Sequence, residues 1–191
     1  MRDAMRCLLL LVCCLAACTS TPDDRALQSP ASGVDGSEAN WKERLATPYV
    51  YIEHEGDYRR LGDAMRELFS SAEELGLESS GAPFALFFDD PGQVPTAELR
   101  ARACLPVVER PARLGRLEFD VLPRAMVAYA RVRGPYPEVP KSYPALFAYL
   151  RDLGWSPSAP IREVYLVNPI EAASHDDLVT EVQVPWTAQG R

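Results

Sequence analysis

The 191-residue chain is 47% hydrophobic and 25% charged, with a net charge of −7. That balance belongs to a water-soluble globular domain and excludes collagen-like, disordered and multi-span membrane chains. The acidic total offers no basic footprint for DNA or RNA, so no nucleic acid is expected among the partners.

The chain opens on an export signal. Arg2 and Arg6 charge its start, an apolar run follows from Cys7 to Ala17, and no acidic residue in it comes after Asp3. The run is too short for a stable bilayer span. It ends in Leu15-Ala16-Ala17-Cys18, which resembles the signal motif of bacterial lipoproteins, with small residues before an acceptor cysteine. The resemblance implies removal of residues 1–17, a lipid on Cys18, and membrane attachment through that lipid. Thr19 stands where an aspartate would favour inner-membrane retention, so the expected localisation is the cell envelope, outer membrane favoured, facing the periplasm. Losing Arg2, Arg6 and Asp3 takes the net side-chain charge from −7 to −8. Cys104 is then left as the one free thiol, which excludes an internal disulfide and a multi-cysteine metal site.

From Thr19 to Asn40 there is almost no apolar content. Residues 18–45 therefore read as a flexible tether, its roughly 22 polar residues spanning ~25 Å as a coil, and 46–187 as the folded domain.

Past the tether the chain repeats itself at an offset of 78 to 79 residues. Gly56-Asp57-Tyr58 matches Gly134-Pro135-Tyr136, Leu75-Gly76 matches Leu153-Gly154, Asp90-Pro91 matches Asn168-Pro169, and Leu105-Pro106 matches Val184-Pro185. Each half reads as β-α-β-β. In the first, Tyr49–His54 is a strand, Leu61, Met65, Leu68 and Phe69 give helical spacing that stops at Gly76, and Phe84–Asp89 and Leu99–Val108 are strands. In the second, Met126–Val132 is a strand, and Tyr143, Leu146, Phe147, Leu150 and Leu153 form a helix stripe. Glu163–Val167 and Val179–Val184 complete the unit, and Arg110–Arg124 is the connector between the halves. The fold class is α+β, with two helices packed on one side of the sheet and a ligand groove expected on the other.

Period-2 alternation assigns the faces. Placing Val164, Leu166, Val182 and Val184 under the helices leaves Glu163, Tyr165, Glu181 and Gln183 opposite, together with Tyr51, Phe87 and Tyr129. Carboxylates among aromatic rings suit an amphipathic or cationic ligand. A solvated sheet face would show a similar composition. His54 and His175 lack metal-ligand spacing and no phosphate-binding glycine motif occurs, so neither metal nor cofactor is expected.

Gly134-Pro135-Tyr136, the run Pro160 to Pro169 (PIREVYLVNP) and Thr180 to Pro185 (TEVQVP) resemble the GyrI-like small-molecule-binding domain, the effector-binding module of some AraC-type and MerR-type transcription regulators. The likeness extends from about Thr47 to Trp186. It implies a groove between the halves for amphipathic, often cationic compounds, with a glutamate as counter-charge; Glu163 matches best and Glu181 second. Some members are hydrolases of strained electrophiles, which would give Glu163, with Tyr165 or Tyr129, a catalytic role. No helix-turn-helix segment is expected, since the tether is too short and polar to contain one, and the expected export would separate the domain from DNA. The expected function is capture of a small amphipathic or cationic molecule for sequestration or sensing. The alternatives are a hydrolase using a pocket glutamate and an envelope scaffold with a degenerate pocket.

Overall fold

The computed structural model describes residues 39–167 and 172–188. The signal segment, Cys18, most of the tether and Asn168-Pro169 lie outside the described residues.

The strands are β1 (Asn40–Arg44), β2 (Thr47–Glu55), β3 (Phe84–Phe87), β4 (Arg100–Pro106), β5 (Glu118–Leu122), β6 (Ala125–Arg133), β7 (Trp155–Pro157), β8 (Ile161–Val167) and β9 (Val179–Ala188). The helices are α1 (Leu61–Leu75) and α2 (Tyr143–Asp152). Eight strands form one antiparallel sheet in the order β1-β6-β9-β8-β3-β4-β2-β5, and β7 pairs with the end of β9. The sheet curls. Arg44, on the edge strand β1, donates from Nη2 to the carbonyl of Pro123 at 2.9 Å, just past β5 at the opposite edge.

The duplicated units β2-α1-β3-β4 and β6-α2-β8-β9 meet where β3 pairs with β8. Each unit has one further strand, and it is exchanged. β1 precedes the first unit but pairs with β6 of the second, whereas β5 precedes the second unit and pairs with β2 of the first. β1 and β5 occupy the same place in their repeats, 78 residues apart. β1 falls inside the stretch assigned from sequence to the tether, and β5 inside the supposed connector. Both are short and carry many charged side chains, NWKER and EFDVL, because edge strands bury less and expose more of each residue.

Both helices pack on one face of the sheet. α1 lays Leu61, Ala64, Leu68 and Ala72 over Val50, Ala85, Ala101, Ala103 and Leu105. α2 starts with Pro144 in its first turn, where no amide donor is lost, and lays Leu146 and Leu150 over Ala128, Ala130, Val182 and Val184. α1 ends at Gly76 in the left-handed conformation. Among the described residues no helix is long and apolar enough to cross a membrane.

The opposite face is buried as well, by Tyr49, Tyr51, Phe84, Leu86, Cys104, Leu122 and Val164. This overturns part of the period-2 reading. An apolar residue marks the helix side only when the other side is wet, and here both are dry. Val164 packs away from the helices, so Glu163 and Tyr165 turn towards them. Ala85 and Phe87 likewise lie on the helix face, against α1. Burial pushes the Cys104 thiol well above its ordinary pKa, which leaves it an inert core residue.

Candidate functional site

The helix face is not fully covered. Between α1 and the 3-10 turn Tyr136–Ser142 that leads into α2 lies a cavity of about 710 Å³. Leu61, Met65 and Phe69 of α1 form one wall, and Tyr136, Pro137 and Pro140 of the turn form the other. Phe87, Pro83, Glu163 and Tyr165 make the floor, with Arg59 and Arg66 also among the lining residues. The cavity is thus on the helix side of the sheet, not on the opposite side where the groove was expected.

Its frame is twofold. Tyr58 meets Phe87 edge to face at 4.9 Å between ring centres, and Tyr136 meets Tyr165 in the same way at 5.2 Å. The two pairs are related by the 78-residue offset. Each leading tyrosine follows a glycine of positive φ, Gly56 at +110° and Gly134 at +116°, a conformation that a Cβ-bearing residue rarely adopts. The amides of these glycines donate to the carbonyls of Leu99 and Leu178 at 2.8 and 2.9 Å, which fixes both turns against the sheet.

The charge is not twofold. Glu163 is 8% exposed, and the Tyr143 hydroxyl, at the start of α2, donates to its Oε1. The offset places Ala85 at the position of Glu163 and Met65 at that of Tyr143. Burial pushes the Glu163 carboxyl above its usual pKa, while the hydroxyls of Tyr143 and Tyr165 pull it back by stabilising the charged form. The same burial, with the neighbouring carboxylate, raises Tyr143 and Tyr165, so both remain protonated donors. No salt bridge engages Glu163 among the described residues. A buried carboxyl of this kind, framed by rings and open to a cavity, can receive a cation or a hydrogen-bond donor, or exchange a proton with one.

Of the residues singled out from sequence, Glu163, Tyr165 and Phe87 converge on this cavity. Glu181, Gln183, Tyr129 and Tyr51 do not; they lie on the opposite face, where other partners occupy them. Glu181 accepts from Lys42 at 2.5 Å, from Gln183 at 2.7 Å and from Arg131 at 3.1 Å. Lys42 also sits 4.3 Å from the centre of the Tyr129 ring. Tyr51 lies under Arg102 at 4.0 Å and donates to Glu118. Tyr143 was missed as a site residue because its helical spacing with Leu146 and Leu150 reads as core. The match of Gly56-Asp57-Tyr58 with Gly134-Pro135-Tyr136 is the sequence signal for the paired Tyr58 and Tyr136. His54 donates from Nε2 to the Asp57 carbonyl at 3.0 Å, at the end of its strand.

No curated protein sequence matches the chain. Solved structures share the fold. The C-terminal domain of EcmrR superposes with a TM-score of 0.72 at 18% identity, covering 80% of this chain and 99% of that domain. Against the EcmrR chain in its DNA complex, the match spans 58% of that chain. A hydrolase from Listeria innocua gives 0.56 at 12% identity, over 78% and 91% of the two chains. SAV2435, in a structure bound to tetraphenylphosphonium, gives 0.58 at 12% identity, over 78% and 94%. The family model for the GyrI-like small molecule binding domain matches residues 40–186, from β1 through the core of β9, and the chain belongs to that family.

Proposed function

We propose that the protein is an envelope lipoprotein, held by a lipid on Cys18, whose cavity captures a small amphipathic cation at Glu163 for sequestration or sensing. One observation carries the reading: a nearly buried carboxyl faces an aromatic cavity and, among the described residues, no basic side chain neutralises it. A lipophilic cation supplies the missing charge and covers the rings at the same time. The likeness to a protein bound to tetraphenylphosphonium supports the ligand class.

The test uses tetraphenylphosphonium and the neutral triphenylphosphine oxide with wild type and Glu163→Gln. The cation should raise the melting temperature of the wild type by mass action, and the variant should bind it at least tenfold more weakly. The neutral compound should bind both alike. Equal affinity of both proteins for the cation would reject Glu163 as the counter-charge.

A hydrolase is the second reading, favoured by the Tyr143–Glu163 hydrogen bond, which places a proton donor on a potential base or nucleophile. Tyr129 drops out of that mechanism because it lies on the other face. Under this reading Glu163→Gln and Tyr143→Phe should each remove turnover of an activated electrophile by about 10²-fold or more. A binder shows no turnover above a heat-inactivated control while its ligands still shift the melting temperature.

A further inference from the structure

On the sheet face away from the cavity, the second unit gathers four cations around one carboxylate. Lys42, Arg44, Arg131 and Arg162 all point to this face of the second unit, and Glu181, the carboxylate among them, pairs with Lys42 and Arg131. In a chain of net charge −7 this is a local reversal of sign. Both oxygens of Glu181 are taken, Oε1 by Lys42 and Gln183 and Oε2 by Arg131. Among the described residues, nothing anionic remains for the other two cations.

Those two are the buried ones. Arg44 is 6% exposed and Arg162 8%. Arg44 spends one N–H on the Pro123 carbonyl, and its Nε and Nη1 have no partner among the described residues. Arg162 lies 3.9 Å over the Phe84 ring and its Nε has no partner among the described residues. The Gln183 Oε1, on the cross-strand neighbour of Arg162, is likewise unpartnered among the described residues. Burial, followed by repulsion from Arg44, lowers the Arg162 pKa to about 10. Two guanidinium groups close enough to repel, both withdrawn from water and neither bonded to a carboxylate among the described residues, are expensive for the fold.

The repeat shows that the fold does not demand them. At the offset of 78 residues, Arg44 corresponds to Leu122 and Arg162 to Phe84, and both counterparts are buried in the apolar half of the same face. Leucine and phenylalanine suffice there. The second half has arginines instead.

We propose that Arg44 and Arg162 form a second binding site, distinct from the cavity, for a compact oxyanion of the phosphate type. Two guanidinium forks match the oxygens of such a group, and binding it supplies the hydrogen-bond acceptors and the counter-charge that both side chains lack. Lys42 and Arg131, more exposed, stand beside them and favour the approach of an anion.

The experiment uses the full chain in neutral detergent, with inorganic phosphate titrated at constant ionic strength against chloride, followed by calorimetry and thermal unfolding. Saturable binding and a rise in melting temperature are expected for the wild type. Arg44→Leu and Arg162→Phe install the residues of the other repeat, so they should fold, melt at or above the wild type without phosphate, and bind it at least tenfold more weakly. Glu163→Gln should bind phosphate as the wild type does, which separates this site from the cavity. Glycerol phosphate in place of inorganic phosphate distinguishes an esterified source from a free one; saturable binding of either supports the site. Absence of saturable binding of both by the wild type overturns it, without recourse to any variant. So does undiminished binding by both arginine variants.

Discussion

Ala85 and Glu163 are direct partners across the β3–β8 pairing, and the offset of 78 residues makes them the same position of the two repeats. The pseudo-twofold axis of the domain therefore passes between an alanine and a glutamate. Around them the rings keep the symmetry, Tyr58 on Phe87 and Tyr136 on Tyr165, while the acid stands on one side alone. A cavity framed in this way offers two aromatic clamps and one charge. It suits a ligand with flat apolar groups on both sides and a single cationic centre, and it gives that ligand one orientation.

The carboxyl of Glu163 should report on itself through pH. Its folded pKa lies above the ordinary value because burial disfavours the charged form. Between the unfolded and folded pKa values, the native state holds a proton that the unfolded state has lost. The contribution to stability is thus full below the unfolded pKa and is lost as pH rises through the folded pKa. Glu163→Gln removes this dependence. The stability of the variant relative to wild type should grow as pH rises above the ordinary carboxylate range and then level off. Denaturant unfolding of both proteins at several pH values checks this, and parallel profiles would place the carboxyl in contact with water. Tetraphenylphosphonium affinity of the wild type should rise with pH through the same window.

Tyr143 favours the charged form of the acid, against the burial that disfavours it. Tyr143→Phe keeps the ring and removes the hydroxyl, so Glu163 loses a hydrogen bond to its ionised state, worth about 1.5–3 kcal/mol. Cation affinity near pH 7 should fall about tenfold or more, with the neutral compound unaffected. Calorimetric titration of both compounds measures the difference. If the two affinities fall together, Tyr143 shapes the wall and not the charge.

The duplicated β-α-β-β plan was legible in the sequence because each helix carries one apolar stripe and stops at a glycine, and each central strand is a dense apolar run. β1 and β5 were not, since NWKER and EFDVL owe their strand state to partners far away in the chain, β6 for one and β2 for the other. The site was half legible. Glu163 stood out as an acid within an apolar strand, but its direction depended on which side of the sheet was dry. Alternation gives two faces without naming them, and the cluster of Tyr49, Phe84, Cys104 and Val164 makes both dry. With that ambiguity, Glu163 and Glu181 looked like neighbours on one face. The pairing Glu163–Val182 and Val164–Glu181 puts them on opposite faces.

The anchor is tested at one atom. Wild type should partition with membranes and incorporate labelled fatty acid, and Cys18→Ser should do neither. Recovery of unlabelled, soluble wild type from the periplasm would rule out lipidation and leave the cavity untouched.

The repeat also inverts a charge cluster, and the inversion predicts unequal costs. Arg102 pairs with Glu53 and Asp120, at 3.1 and 2.9 Å. At the equivalent positions Glu181 pairs with Arg131 and Lys42, at 3.1 and 2.5 Å. The central groups differ in burial, however: Arg102 keeps 19% of its side chain exposed and Glu181 only 3%. Asp120→Asn leaves a partly solvated arginine that still has Glu53, so the loss should stay below about 1 kcal/mol. Lys42→Met leaves a sealed carboxylate with weaker compensation, and the loss should reach about 2 kcal/mol, short of the full cost of orphaning a buried charge because Arg131 and Gln183 remain. The sign with pH follows from the folded state. Burial raises the Glu181 carboxyl, but the hydrogen bonds from Lys42, Gln183 and Arg131 outweigh it and hold the group below its ordinary pKa. Its contribution is therefore present above the unfolded pKa and lost as pH falls through the folded pKa. The gap between wild type and Lys42→Met should close on acidification, as the protonated carboxyl no longer needs its lysine. Equal losses for the two variants at neutral pH, or a gap that persists in acid, would show that burial of the central group does not set the cost.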